Sequence, residues 1–413
     1  MKKACDTIIS GAGIYGMLIA KNLSRIYPEM KIVIIEEKNE LFNNNSTFNS
    51  GVLHSGIYYK PNSLKSKFCR QGNLEMKQYI KDNKLFLMEC GKLIVANSIE
   101  ESYKIDELYK NGQENGIDIQ IVDPVRVKTI DRHVNTRFNS LFLPSACIGS
   151  PSQVIKNLYE KIKERPNIKF VLNSRIANLM NRKEVVDNND KNKNVMLKLN
   201  NNDEYECNLF INCSGSSSDS IAHLFNQAKD FTSIHLKAYY DYVQTSDIPK
   251  TLIYPVPSPF SLGLHITMQD YNTIKFGPSV DFNIKSIYEA GGLKNAFMQN
   301  LSTFNKYIRS FKINYYKQLI DELLNNRKES GIQRFTQIYD KYAYGDIIRN
   351  KYKTQVLVRS PVINLKTGVF ESDFVIENSK NHYHLINFQS PAWTCSFALT
   401  KHITSLIEKN YNK

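Results

Sequence analysis

Hydrophobic positions change period several times along the chain, and each change marks an element. Ile8 and Ile9 end a short apolar run at Ser10, a helical apolar pattern runs on to Ile26, and Ile32–Ile35 forms an unbroken apolar run ending at Glu36. This reads as strand, helix, strand. Residues 64–82 predict a helix with Leu64, Phe68, Leu74, Met76 and Ile80 on one face. Strands follow from about Leu85 to Ala96, then a helix over 100–116 stopped by Gly116. Ser150-Pro151 predicts a helix start, Ser as cap and Pro at the first helical position, with Val154, Leu158 and Ile162 facing inward. Ile168–Leu172 and Asn208–Asn212 read as strands, and the polar tract 181–203 as an exposed hairpin region.

The texture changes over 230–355. Tyr239, Tyr240, Tyr242, Tyr254 and Phe260 recur in strand-like alternation, with helical stretches at 286–300 and 315–328. This predicts an antiparallel sheet with helices. Val356–Val358, Asp373–Glu377 and His384–Asn387 return to strands, Gln389–Trp393 forms a loop, and a last helix runs from Thr394. The fold class is α/β (α+β), with a Rossmann-type dinucleotide domain built from residues 1–85, 145–228 and 355–413. Residues 86–144 and 229–354 form a substrate or cap domain on an antiparallel sheet.

The turn between the first strand and helix reads Gly11-Ala-Gly13-Ile14-Tyr-Gly16. Gly11 allows the tight turn, Gly13 lets backbone N–H groups approach a pyrophosphate, and Gly16 lets the helix pack on the strand. The helix N-terminus offers Ile14 and its neighbours as donors with partial positive charge. Glu36 stands twenty residues after Gly16, where an acid can accept from ribose hydroxyls. Only one complete fingerprint is present, which favours FAD over NAD. Glycine-marked strand ends recur at Gly51 and Gly215, and a further loop at Ser390-Pro391.

Composition changes this picture little. The 413 residues are 42% hydrophobic and 23% charged, with 54 Lys+Arg against 40 Asp+Glu and a net charge of +14. The lysines are dispersed among many asparagines, so the charge reads as compositional bias and not as a nucleic-acid surface. Seven scattered cysteines without a CxxC argue against disulfides and against a metal site. Met-Lys-Lys followed by apolar residues mimics a secretory signal, but Asp6 breaks the run and the glycine turn follows at once. No apolar run reaches the ~18 residues that span a membrane. The expectation is a cytoplasmic protein, at most peripherally attached to a membrane.

The segments Asn49-SGVLHSGIYYKP-Asn62, Asn212-CSG-Ser216, Leu252-IYPVPSPFSLGLHIT-Met268 and Asn387-FQSPAWT-Cys395 together resemble the L-2-hydroxyglutarate oxidases and dehydrogenases, within the D-amino-acid-oxidase-like flavoproteins. The resemblance implies FAD as cofactor and oxidation of a 2-hydroxy acid to a 2-keto acid. It implies flavin contacts from Ser50, Gly51, Ile176 and Gly215, and backbone donors at Ser390, Pro391 and Ala392. His54 and His265 are the candidate bases, suited to proton transfer near neutral pH. Arg359 stands where the family has an arginine suited to a substrate carboxylate. Tyr59, Lys60, Lys237 and Tyr254 are candidates for a distal carboxylate. Three residues depart from the family pattern: Phe48 where a histidine is usual, Lys237 where an arginine is usual, and Trp393 where a small residue is common. They leave FAD in place and open the substrate to a related acid. Oxygen and a membrane quinone both remain open as electron acceptor. The alternative chemistry on the same fold is an amine or amino-acid oxidase.

Overall fold

The computed structural model describes residues 2–180, 194–258, 262–281, 332, 335–340 and 349–411. The expected helices at 286–300 and 315–328, together with Phe260, lie outside them.

Two eight-stranded sheets organise the described residues. At the centre of the first are β1 (Lys2–Ser10) and β2 (Ile32–Ile35), with α1 (Ile14–Ile26) crossing between them. β1 pairs in parallel with both β2 and the strand Glu204–Asn212. Ile168–Val171 extends the sheet in parallel beyond β2, and His382–Ile386 joins in parallel on the far side of Glu204–Asn212. Strands from positions 2, 32, 168, 204 and 382 thus share one sheet, as a nucleotide domain of separated segments requires. Ile176–Leu179 and Val195–Leu199 pair antiparallel at its edge. They flank residues 181–193, which are not described. The sheet's core strands are apolar because helices cover them. Ile9, Ile32, Ile34, Leu209 and Ile211 pack there against α1 and the C-terminal helix Ala392–Tyr411.

The second sheet runs, in order, through Lys351–Arg359, Leu236–Gln244, Thr273–Asp281, His265–Met268, Leu252–Pro255, Lys92–Val95, Ser140–Leu143 and Gln120–Val122. It is antiparallel, as expected, except where Leu252–Pro255 lies parallel to Lys92–Val95. These two strands are far apart in sequence, so no hairpin constrains their direction.

Three local expectations are corrected. In α3 (Leu64–Asp82) the buried face is Phe68, Cys69, Met76 and Ile80, whereas Leu74 is 60% exposed. At 100° per residue Leu74 falls about 240° around the helix from Phe68. Ser150 precedes the helix Pro151–Ile162 but makes no side-chain cap; its hydroxyl meets that of Ser152 at 3.2 Å. The C-terminal helix begins at Ala392, so Trp393 is helical and not in the loop. Among the described residues no helix is long and apolar enough to cross a membrane.

Candidate active site

One cavity opens where the two sheets meet, and its wall is drawn from every block of the chain singled out above. One end of it is the turn from β1 to α1. Gly11 has φ +103°, and a Cβ there would lie 2.4 Å from the Cys213 carbonyl oxygen. A Cβ on Gly16 would lie 2.0 Å from the Gly11 carbonyl oxygen. Gly11 therefore lets backbone pass backbone where the two strand-to-helix turns meet, and Gly16 does so within the first turn. Gly215, φ +58°, has nothing within 4 Å of its Cβ direction and lines the cavity. The N-cap of α1, Gly13, has no side chain to cap it, and the first turn has no acid; apart from the Ile14 N–H, this leaves helix N–H donors and a partial positive charge for an anion.

Ser46, on the one-turn helix α2 (Asn45–Phe48), was not legible as a site residue. Its hydroxyl accepts from the Ile14 N–H at 3.0 Å, and a Cβ on Gly13 would come within 2.9 Å of that hydroxyl. Gly13 thus makes room for a side chain as well as for a ligand. Glu36 is buried at the end of β2, but its carboxylate accepts from the Ala12 N–H at 2.8 Å and the Lys38 N–H at 3.1 Å. Burial raises its pKa above the usual glutamate value, against those two donors. Its observed role is to hold the glycine turn, and it does not line the cavity.

At the other end, Gly51 has φ +78° and a Cβ direction 2.3 Å from the Gly149 carbonyl oxygen. This bend aims Ser50 and His54 at the cavity. The Thr394 hydroxyl accepts the His54 backbone N–H at 3.1 Å, and Asn73 donates to the His54 carbonyl at 3.1 Å. His54 Nε2 lies 3.4 Å from the Ser390 hydroxyl. Burial, followed by the charge of Lys92 and the neighbouring His265, holds this imidazole well below the usual histidine range.

His265 opens the strand His265–Met268. Its ring stacks on Tyr254 with centroids 4.0 Å apart and planes 14° from parallel. Its Nδ1 lies 2.8 Å from the Gly263 carbonyl oxygen. A carbonyl only accepts, so Nδ1 carries the proton and Nε2 keeps a lone pair. Burial pushes this imidazole down to about 3, with the Gly263 bond opposing and Lys92 and Arg359 adding to the effect. The ring is neutral and fixed in tautomer. Arg359 ends the strand Lys351–Arg359 and lines the same cavity. No aspartate or glutamate lines it among the described residues.

Several expected contacts lie elsewhere. Ile176 is 5% exposed in a core cluster with Ile8, Val33 and Phe210, away from the cavity. Its apolar side chain fills the sheet's far face. Tyr59 packs against the core, but its hydroxyl bonds to Ser390, which lines the cavity. Lys60 is exposed. The Lys237 ammonium lies 5.3 Å from the Tyr239 ring centroid, also outside the lining. Phe48 is half-buried and does not line the cavity, whereas Trp393 is buried and does.

Five lining residues carry buried side-chain atoms without a hydrogen-bond partner: His54 Nδ1, Ser233 Oγ, Tyr254 Oη, Gln389 Nε2 and Trp393 Nε1. Buried polar atoms are ordinarily paired, so this concentration fits a polar ligand. Together with the open helix N-terminus and the glycine crossings, it suits a group with a phosphate-bearing end and a hydrogen-bonding ring. The residues present fit FAD.

Comparison with known proteins agrees. The family model for FAD dependent oxidoreductases (DAO) matches residues 6–406. L-2-hydroxyglutarate dehydrogenase of Escherichia coli K12 is 26% identical, over 98% of this chain and 93% of its own. The mitochondrial L-2-hydroxyglutarate dehydrogenase of Caenorhabditis briggsae is 29% identical, over 97% and 92%. Among solved structures, the dithionite-reduced L-α-glycerophosphate oxidase of Mycoplasma pneumoniae, with FAD bound, superposes with TM-score 0.74 at 20% identity, covering 98% of this chain and 95% of its own. Glycine oxidase of Geobacillus kaustophilus gives 0.72 at 12% identity, over 99% and 95%. These two show a shared fold.

Proposed function

The chain belongs to the FAD dependent oxidoreductase family, and on that premise we propose that it oxidises L-2-hydroxyglutarate or a closely related 2-hydroxy acid to the 2-oxo acid. The observation that carries this reading is a histidine whose tautomer Gly263 fixes, sharing a cavity with Arg359 and, among the described residues, with no carboxylate in the wall. The similarity to L-2-hydroxyglutarate dehydrogenases over nearly the whole chain supports the choice of acid. FAD, when bound, takes the two electrons lost from the substrate carbon. The chain supplies the rest. Arg359 binds the carboxylate in a planar, two-pronged contact. His265 Nε2 accepts the hydroxyl proton while Gly263 and Tyr254 hold the ring. His54, fixed at its backbone by Thr394 and Asn73, is a second acceptor on the same wall.

Arg359→Lys keeps the charge but loses the fork. Removing a charge-assisted contact of this kind costs about 2–3 kcal/mol. Substrate KM is expected to rise ~30–150-fold, with flavin content unchanged. An unaltered KM for every acid removes Arg359 from the site.

The reading is tested by steady-state turnover on a panel of 2-hydroxy acids and amino acids, with product identified by mass. A 2-oxo acid formed from L-2-hydroxyglutarate without release of ammonia supports it. Turnover confined to amino acids, with ammonia released, assigns the chain to amine oxidation instead.

A further inference from the structure

Lys92 is completely buried in the second sheet, at 0% exposure. Its register partners across the sheet are Leu252 and Leu143, so neighbouring strands offer it no charge. The ammonium lies 4.5 Å from the Tyr58 ring centroid and 4.9 Å from that of Tyr254. It donates to the Tyr58 hydroxyl at 3.3 Å. The Cys69 thiol also acts on it, and no carboxylate does among the described residues. A buried cation without a counter-ion is costly. An anion arriving from outside relieves that cost.

The Tyr254 ring connects this ammonium to the cavity. Tyr254 contacts Lys92 and stacks on His265, and both Tyr254 and His265 line the cavity. Lys92 is among the charges acting on both His54 and His265. Lys275, another buried lysine beside the cavity, instead donates to the Asn49 carbonyl at 3.0 Å and acts on neither histidine.

We propose that Lys92 is a positioning residue for anionic substrates, a buried positive charge that acts on the cavity through the Tyr254 ring and is matched only when an acid binds. This rests on the reading that the cavity takes an organic acid.

The proposal makes binding proton-linked. Burial brings Lys92 down to about 7, so above that pH much of the free protein holds it neutral. A carboxylate in the cavity favours the ammonium form, and binding draws in a proton. The other groups facing Lys92 are Tyr58, Tyr254, Cys69, His54 and His265, with Arg359 beyond His265. Burial drives both tyrosines above and both histidines below their usual ranges, which leaves them neutral.

The test is calorimetric titration of the FAD-loaded protein at pH 8, in buffers of different ionisation enthalpy. The probes are 2-oxoglutarate and, separately, inorganic sulfate. The parent is expected to take up close to one proton per anion bound, with Kd rising up to ~10-fold per pH unit above pH 7. Lys92→Met is expected to bind about tenfold more weakly at pH 7, with no uptake and no pH dependence over this range. Lys92→Gln, which can still bond to Tyr58, is expected to do the same and serves if the methionine variant loses flavin. Lys92→Arg is expected to bind tightly without proton uptake, and Lys275→Met to keep the uptake. Uptake unchanged in both neutral variants, or no binding of either anion to the parent, overturns the proposal. Lys92-dependent uptake with sulfate but no binding of 2-oxoglutarate leaves it standing and removes the assigned substrate.

Discussion

His265→Ala is expected to slow anaerobic flavin reduction ~10²–10⁴-fold, the usual loss when a positioned base is removed. The expectation follows from geometry. The Gly263 carbonyl fixes the proton on Nδ1 at 2.8 Å, so Nε2 is free to accept. Stacking on Tyr254 at 4.0 Å fixes the ring plane. Burial keeps the imidazole neutral, so no proton has to leave before one arrives. The bound carboxylate offsets the positive field of Arg359 and raises the ring's basicity at the moment it is needed. His265→Asn can still bond to a nearby carbonyl but has no lone pair of comparable basicity, and is expected to be nearly as slow. FAD content should be unchanged in both. Stopped-flow reduction checks this, and a rate within threefold of the parent takes His265 out of the proton transfer.

Gly16→Val is expected to yield colourless protein. A Cβ at this position would lie 2.0 Å from the Gly11 carbonyl oxygen and 3.3 Å from the Ile9 side chain. The obstacle is backbone, so it cannot swing aside, and α1 must move off β1. Overpacking of this kind costs ~1–3 kcal/mol. The displacement falls on the helix N-terminus and on the Ile14 N–H that Ser46 accepts. Flavin content should fall below about a tenth of the parent's, through loss of the anion site. Gly116→Ala is the control: it lies outside the cavity lining, only the flexible Arg70 side chain stands near its Cβ direction, at 3.3 Å, and flavin should be retained. Full occupancy in Gly16→Val contradicts the assignment of this turn to the cofactor.

The glycine turn was legible because its requirements are local. Gly11, Gly13 and Gly16 stand within six residues, and their spacing maps directly onto one crossing of backbone. The assembly of one parallel sheet from five separated strands was legible for a similar reason, since each strand is an apolar run ending in a turn. Convergence of His54, His265 and Arg359 came only through the resemblance, because nothing in their own sequence neighbourhoods points at one another. Glu36 shows what a motif leaves out: its carboxylate accepts from the Ala12 and Lys38 N–H groups, contacts its spacing does not point to. Ser46 sits in a polar, asparagine-rich stretch where no periodicity marks a contact. Lys92 opens Lys92–Val95, every residue of which is buried. A lysine there reads as the solvent-facing end of a strand until the Tyr58 and Tyr254 rings are seen to enclose it. The side chain of Ile176, a position transferred as a cofactor contact, lies in the core.

The central claim is that this cavity oxidises a 2-hydroxy acid. Its most direct test is anaerobic mixing of the purified yellow protein with L-2-hydroxyglutarate, followed by flavin absorbance and product analysis. The account predicts bleaching of the flavin with one 2-oxoglutarate formed per flavin reduced, and no bleaching by amino acids. A flavin left oxidised by L-2-hydroxyglutarate and by every related 2-hydroxy acid, or bleached only by amino acids, contradicts it.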